Sequence, residues 1–255
     1  QLNLIQPHTL VSGTIFASMT FSETAGIYRS DDYGESWQYI GPTEAISEAA
    51  GMAFDAVDPN LIYLGTNGTG LWRSTDGGEH WVHVPVSNTL PPVSVPAIAA
   101  HPEIPNKVYI RTYSHATTPN PEPELWVSKD AGDTWQPLTY VFLGVDLLVV
   151  PPLPDSPPYS LYTGCEPGLC RSIDDGQTWQ SVAGSPRPEI LAAASDGERL
   201  MIYLGSPGGL VTQAGEQRTS TANTILGEAT IFGGGVYRLT KILPTDWLYL
   251  PTIVR

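Results

Sequence analysis

Residues 30–37 read Ser30-Asp31-Asp32-Tyr33-Gly34-Glu35-Ser36-Trp37, and the same spacing returns three times along the chain. The copies place Ser74, Asp76, Gly78 and Trp81; Ser128, Asp130, Gly132 and Trp135; and Ser172, Asp174, Gly176 and Trp179. An Asp two residues after a Ser and two before a Gly suits a tight hairpin turn. Its carboxylate can accept backbone N–H groups while the Gly takes a positive φ. The closing Trp is then free to fold back as an apolar plug. These residues are therefore expected to clamp turns. His80 stands where the other copies have Ser36, Thr134 and Thr178, and is read as variation the turn tolerates.

A second signal precedes the copies. Short β-branched and aromatic runs occur at residues 15–18, 62–65, 108–111, 161–164 and 202–205, five in all. Their aromatic members, Phe16, Tyr63, Tyr109, Tyr162 and Tyr203, recur every 41 to 53 residues. That period fits a blade of four strands. Apolar runs of small residues lead into four of them, at residues 52–59, 97–102, 147–152 and 190–196. Between each run and its turn lies a third strand with period-two alternation, at residues 26–30, 70–74, 124–128 and 168–172. The fifth unit has no turn motif. It passes through a Gly/Ser/Thr-rich stretch, residues 215–227, and returns at residues 234–240 with Gly-Gly-Val-Tyr-Arg-Leu-Thr, a repeat of the third-strand pattern. This reads as one blade with an inserted loop, a sixth degenerate blade being the alternative.

The eight-residue motif is identified as the Asp-box, or BNR repeat, and resembles that of sialidases, sortilin-like receptors, xyloglucanases and a photosystem II assembly factor. All of these are β-propellers. The resemblance implies an all-β fold: one propeller of five blades, or alternatively six, each of four antiparallel strands with an Asp-box hairpin. It also implies that the boxes lie on the outer rim, away from the functional mouth. The blades are expected near residues 8–45, 46–90, 91–140, 141–185 and 186–245, with a β-prone tail over 246–255.

Twenty-six acidic against twelve basic residues give a net charge of −14, which repels phosphate backbones and anionic membranes. Nucleic acid is not an expected partner. No apolar run reaches the roughly 18 residues of a membrane helix; the best, residues 141–150, holds Asp146 and runs into Pro151-Pro152, so it reads as a buried strand. The sequence starts at Gln1, which fits a removed export signal. Cys165 and Cys170 flank four residues between two expected strands, a spacing that can close a disulfide across a hairpin and agrees with an extracellular or cell-surface location.

The resemblance to sialidases implies three arginines at one mouth, with a Tyr nucleophile paired to a Glu and an Asp acid. Arg29, Arg73, Arg171 and Arg238 instead share one repeat position, just before the box or its remnant, as structural residues do. The early Arg-Ile-Pro signature of those enzymes does not occur. A xyloglucanase-like hydrolase needs two facing carboxylates in a cleft between two seven-bladed propellers. Asp55, Asp146, Glu122 and Glu124 are the candidates here, although the chain is too short for one such propeller. His80 and His83, three apart on an expected strand, would face opposite sides, and His8, His101 and His115 are isolated, so no metal site is expected. Asp31-Asp32 and Asp174-Asp175 lack a calcium-loop pattern. Neither a Gly-Lys-Ser/Thr phosphate loop nor a Gly-x-Ser-x-Gly elbow occurs, and no cofactor is expected. Asn67-Gly68-Thr69 is a glycosylation sequon on an expected turn.

These readings converge on an exported, non-catalytic bacterial propeller that binds protein or glycan at the cell surface or plays a structural part there. A glycan-cleaving, sialidase-like hydrolase is the alternative. Two β-prone segments, residues 2–6 and 248–254, stand outside the expected repeats. Either they close their own ring, or one completes a second copy and the protein assembles head to tail.

Overall fold

The computed structural model of the chain describes residues 2–19, 25–41, 49–86, 94–113, 125–138, 146–150, 159–165, 168–182, 185, 190–195, 200–205, 227–232 and 236–241. Twenty strands there form five four-stranded antiparallel sheets. Sheet A holds β1 (Leu2–Pro7), β2 (Ile15–Met19), β3 (Gly26–Ser30) and β4 (Gln38–Tyr39). Sheet B holds β5 (Ala49–Phe54), β6 (Ile62–Thr66), β7 (Leu71–Ser74) and β8 (Val82–Val84). Sheet C holds β9 (Ser94–Ala100), β10 (Val108–Tyr113), β11 (Leu125–Ser128) and β12 (Gln136–Pro137). Sheet D holds β13 (Leu147–Val150), β14 (Ser160–Gly164), β15 (Leu169–Ser172) and β16 (Gln180–Val182). In these four the strands pair in chain order, as a meander with short connections does.

Sheet E departs from that order. Its strands β17 (Ile190–Ser195) and β18 (Leu200–Gly205) are followed in space by β20 (Val236–Lys241) and then by β19 (Gly227–Phe232). The third-strand repeat therefore keeps its place, with Tyr203 opposite Arg238 as Tyr63 is opposite Arg73. With no box to launch a following outer strand, that position is filled from upstream by Gly-Glu-Ala-Thr-Ile-Phe, a strand that directly follows the expected inserted loop over residues 215–227. Residues 2–6, expected outside the repeats, form most of β1 and pair with β2, Gln6 opposite Phe16. The tail over 246–255 lies outside the described residues.

Backbone contacts divide the chain into two compact units. The first, residues 1–141 with 176–178, contains sheets A, B and C. Phe16 and Ile27 of sheet A pack with Met52, Phe54, Ile62 and Leu64 of sheet B. The opposite face of sheet B, with Tyr63 and Leu71, packs with Val95, Ile98, Val108 and Trp126 of sheet C. Because sheet B is covered on both faces, all five residues of β6 are buried and its sequence, Ile-Tyr-Leu-Gly-Thr, shows no polar alternation. Burial of each large aliphatic side chain contributes about 1.5–3 kcal/mol. The approach between sheets B and C is close enough to require a glycine. A Cβ on Gly65 would sit 2.4 Å from the Val95 carbonyl oxygen. In the second unit Val150, Tyr162 and Leu169 of sheet D pack with Leu191 and Ile202 of sheet E.

Tyr63 is fully buried between sheets B and C, and its hydroxyl has no hydrogen-bond partner among the described residues. Burial pushes its phenol well above the ordinary value, with Asp55 adding to the rise. A lone buried hydroxyl carries its full desolvation cost. Tyr63→Phe, which keeps the ring and removes that oxygen, is expected to leave the melting temperature unchanged or raise it, as differential scanning calorimetry will show.

Candidate functional site

Each box joins the third strand of its sheet to the fourth. In box 1, between β3 and β4, Ser30 Oγ donates to Asp32 Oδ1 at 2.8 Å and accepts the Gly34 N–H at 2.8 Å. Asp32 in turn accepts the Ser36 N–H on Oδ1 at 2.8 Å and the Ser36 hydroxyl on Oδ2 at 2.5 Å. Box 3 repeats this with Ser128, Asp130, Gly132 and Thr134. Box 2 does so with Ser74, Asp76, Gly78 and His80, whose ring Nδ1 meets Asp76 Oδ2 at 2.6 Å in place of a hydroxyl. In box 4 Ser172 Oγ donates to Asp174 Oδ1 at 2.7 Å. The turn needs two successive left-handed residues: Tyr33, Gly77, Ala131 and Asp175 at φ 62°, 75°, 60° and 67°, each followed by the motif glycine. Non-glycine residues accept this at about 1–2 kcal/mol.

Charge-assisted donors hold the box carboxylates in the ionised form. The Ser36 hydroxyl and N–H, followed by Ser30, pull Asp32 down to about 2, although it is exposed. The His80 N–H, helped by the His80 ring and Ser74, pulls Asp76 to about 2. Thr134 lowers Asp130 in the same way.

The arginines that precede the boxes serve the next sheet. Arg29 Nη1 donates to the Gly77 carbonyl of box 2 at 3.0 Å. Arg73 Nη1 donates to the Ala131 carbonyl of box 3 at 2.6 Å and to Asp133 at 2.7 Å. Arg171, in sheet D, turns to Ser160 Oγ of its own sheet. Arg29 and Arg171 also lie over Phe16 and Tyr162. Sheet C has Val127 at the arginine position, and there Lys107 lies over Tyr109. Arg29, Arg73 and Arg171 are thus each committed to a separate structural contact.

A second repeated device is not evident from the sequence pattern. His8, Asp55 and His101 occupy one repeat position, at the end of the first strand of sheets A, B and C. Each caps its loop by accepting the N–H groups two and three residues on: Leu10 and Val11, Val57 and Asp58, Glu103 and Ile104. Two of them also reach the following sheet. His8 Nε2 donates to the Pro59 carbonyl at 2.9 Å, and Asp55 Oδ2 accepts the Asn106 N–H at 2.5 Å. Since Nδ1 of His8 accepts, its proton sits on Nε2 and the ring is neutral; burial, and then the charge of Arg29, lower its pKa. Alignment of the repeats on Phe16, Tyr63 and Tyr109 would have exposed the triplet, but His and Asp share no composition class.

Of the candidate carboxylates, Asp55 is committed to three backbone N–H groups. Asp146 is half-buried, accepts Leu147 N–H on Oδ1 and Leu191 N–H on Oδ2, and is pushed up by desolvation against those bonds. Neither is free for acid–base work. Glu122, Glu124 and His115 lie outside the described residues. His80 belongs to the box turn, not to β8, and its ligand atom lies within 4.8 Å of those of Asp76 and Glu79 on the exposed surface. Cys165 and Cys170 form a disulfide across the β14–β15 connection, with a Cα–Cα distance of 5.6 Å.

The repeated sheets and boxes define a propeller-type protein, and comparison with known proteins agrees. The profile of the family described as sortilin, neurotensin receptor 3 (Sortilin-Vps10) matches residues 25–146. Xyloglucanase Xgh74A of Acetivibrio thermocellus is 28% identical over 216 residues, covering 79% of this chain and 22% of that protein. A xyloglucanase of Paenibacillus sp is 31% identical over 157 residues, 54% of this chain and 15% of that protein. Among solved structures, an ancestral GH74 enzyme superposes with a TM-score of 0.62 at 21% identity, over 82% of this chain and 28% of that one. These similarities support a protein of the β-propeller repeat superfamily. It spans less than a quarter of the length of the xyloglucanases it matches. The expectation that it is not an enzyme is corrected here: relatives named xyloglucanase point to a glycoside hydrolase. The Asp-boxes specify a turn and not a reaction, so they carry no sign of that activity.

Because Asp32 and Asp76 fall from 3.8 to about 2 on folding, the unfolded chain binds more protons between those values. Their contribution is complete above that window and is lost as pH falls through it. Melting temperature is expected to drop across it, and Asp32→Asn together with Asp76→Asn to lower the neutral-pH value and flatten the acid limb. Separately, Cys165→Ser with Cys170→Ser is expected to cost about 2 kcal/mol in urea titrations, as suits so small a loop.

Proposed function

We propose that this chain is a propeller portion of an exported glycoside hydrolase that acts on xyloglucan-type β-glucans. The observation that carries this reading is the similarity to a named xyloglucanase across 79% of the chain. The disulfide supports an oxidising, extracellular setting. Five blades remain the proposed organisation, with the approximate boundaries given above except that the first begins at Leu2, since β1 pairs with β2, and the box residues Ser30, Asp32, Gly34 and Trp37 and their counterparts are proposed as turn and interface clamps. The support is the bonding just described: Asp32, Asp76 and Asp130 each spend both oxygens on their own turn. Glycoside hydrolysis needs a protonated and an ionised carboxyl on opposite sides of the scissile bond. With Asp55 and Asp146 bonded to backbone, Glu122 and Glu124 are the two that remain of the four carboxylates named from the sequence.

The test is hydrolysis of, and binding to, soluble xyloglucan and unsubstituted β-1,4-glucan by the full chain, read as new reducing ends and as retardation in affinity electrophoresis. Activity or retardation specific to xyloglucan is expected. Loss of neither binding nor cleavage can then be blamed on folding if melting is unchanged. Glu122→Gln or Glu124→Gln is expected to reduce turnover about a hundredfold or more if the residue acts as acid or base. A chain that neither binds nor cleaves any β-glucan overturns the reading.

A further inference from the structure

The connection from β6 to β7, at the end of sheet B away from box 2, is clasped at its base and open at its tip. At the base the Thr66 N–H and the Thr66 hydroxyl both donate to the Gly70 carbonyl, at 3.0 and 2.7 Å. Thr69 Oγ1 lies 2.8 Å from Thr66 Oγ1 and accepts the Trp72 indole N–H at 3.3 Å. Asn67 and Gly68, between these anchors, are exposed. Gly68 has a left-handed φ of 108°, and nothing lies within 4 Å of the place a Cβ would take. Among the described residues no hydrogen bond engages the Asn67 amide or the Gly68 N–H.

These two groups can react with each other. The backbone nitrogen that follows an asparagine can reach the side-chain Cγ and close a succinimide ring when its own residue has no side chain in the way and its N–H is not tied into structure. The chain holds seven asparagines, and Asn67 alone precedes a glycine. The other described ones are guarded by the residue that follows. Leu4, after Asn3, lies in β1 and pairs with Ser18. Leu61, after Asn60, is buried and its N–H donates to the Asp58 carbonyl. Lys107, after Asn106, is buried.

We propose that Asn67 is a site of spontaneous deamidation, with water as the only co-reactant. Gly68 N gives its proton to a base in the solvent and bonds to Asn67 Cγ. The Cγ–Nδ2 bond breaks, and the side-chain nitrogen takes a proton from solvent and leaves as ammonia. Water then opens the succinimide at either carbonyl. Cleavage between Gly68 N and Cγ restores an ordinary aspartyl link, and cleavage between Gly68 N and the main-chain carbonyl carbon leaves an isoaspartyl link that runs through Cβ and Cγ. Each event adds a negative charge to the chain's −14, and the isoaspartyl route lengthens the backbone by a methylene. The clasp of Thr66 on Gly70 confines both changes to the tip, short of the buried strand β6. The departing nitrogen is also the one that a glycan on the sequon Asn67-Gly68-Thr69 would occupy, so the two modifications exclude each other.

The test is storage of the full folded chain in mildly alkaline buffer made with heavy-oxygen water, followed by peptide mapping with fragmentation that separates aspartyl from isoaspartyl residues. Position 67 is expected to convert ahead of every other asparagine, to both products, with heavy oxygen incorporated there. An acidic form is expected to grow on ion exchange while the melting temperature holds. Asn67→Gln, whose longer side chain closes a ring far less readily, is expected to lose that acidic form and to melt as the wild type does. A position 67 that stays amidated throughout overturns the proposal. So does a first conversion at another asparagine, an acidic form that persists in Asn67→Gln, or a glycan already in place on Asn67.

Discussion

The structure depends on a carboxylate that never leaves its own turn. A box aspartate accepts from a serine on one side and from a residue four positions on, and this fixes two successive left-handed residues at the tip. Left-handed backbone aims the first of their carbonyls outward, where the arginine of the preceding sheet finds it. A local electrostatic constraint thereby becomes a contact between sheets. The exposed position of these carboxylates does not weaken the effect, because their partners are donors fixed by the same eight residues and need no burial to stay aligned.

Two layers of contact hold sheets A, B and C together, and they differ in kind. At the box end, Arg29 lies over Phe16 and reaches the Gly77 carbonyl, and Arg73 reaches Ala131 and Asp133. At the same end, in the turns that follow the first strands, His8 and Asp55 bridge to the next loop. Beyond this polar margin the faces are packed hydrocarbon, so tight at Gly65 that the sheet carries no side chain there. Polar groups at this margin set the register of one sheet on the next, and apolar burial supplies most of the favourable free energy.

The strand pattern was legible because each signal is local: alternation, a β-branched run, an aromatic at a fixed period, and a turn whose residues name themselves. The disulfide was legible for the same reason, since five positions separate its cysteines. What was hidden depends on partners distant in sequence. Asp55 looked like a free acid and proved to be bound by Asn106, and Asp146 by Leu191. His8 and His101 looked isolated because their role is visible only when repeats are superposed. Strand β19 escaped notice because it fills an outer place from the upstream side, against the order that the other four sheets teach. The non-catalytic reading was the least secure, for boxes record the scaffold and carry no trace of any reaction, and it is the one that the likeness to xyloglucanases overturned.

Every sheet is assembled from one uninterrupted stretch of chain, sheet A from residues 2–39 and sheet B from residues 49–84, with all strand pairing kept inside it. Such a chain has short loops to close before each sheet gains its bonds, so its hairpins can zip in succession as they emerge from a narrow pore. Sheet E alone must wait, because its outer strand arrives before the strand it pairs with. A polypeptide that crosses a membrane unfolded would complete four of its sheets in the order of their arrival and finish with the one whose last strand closes the middle.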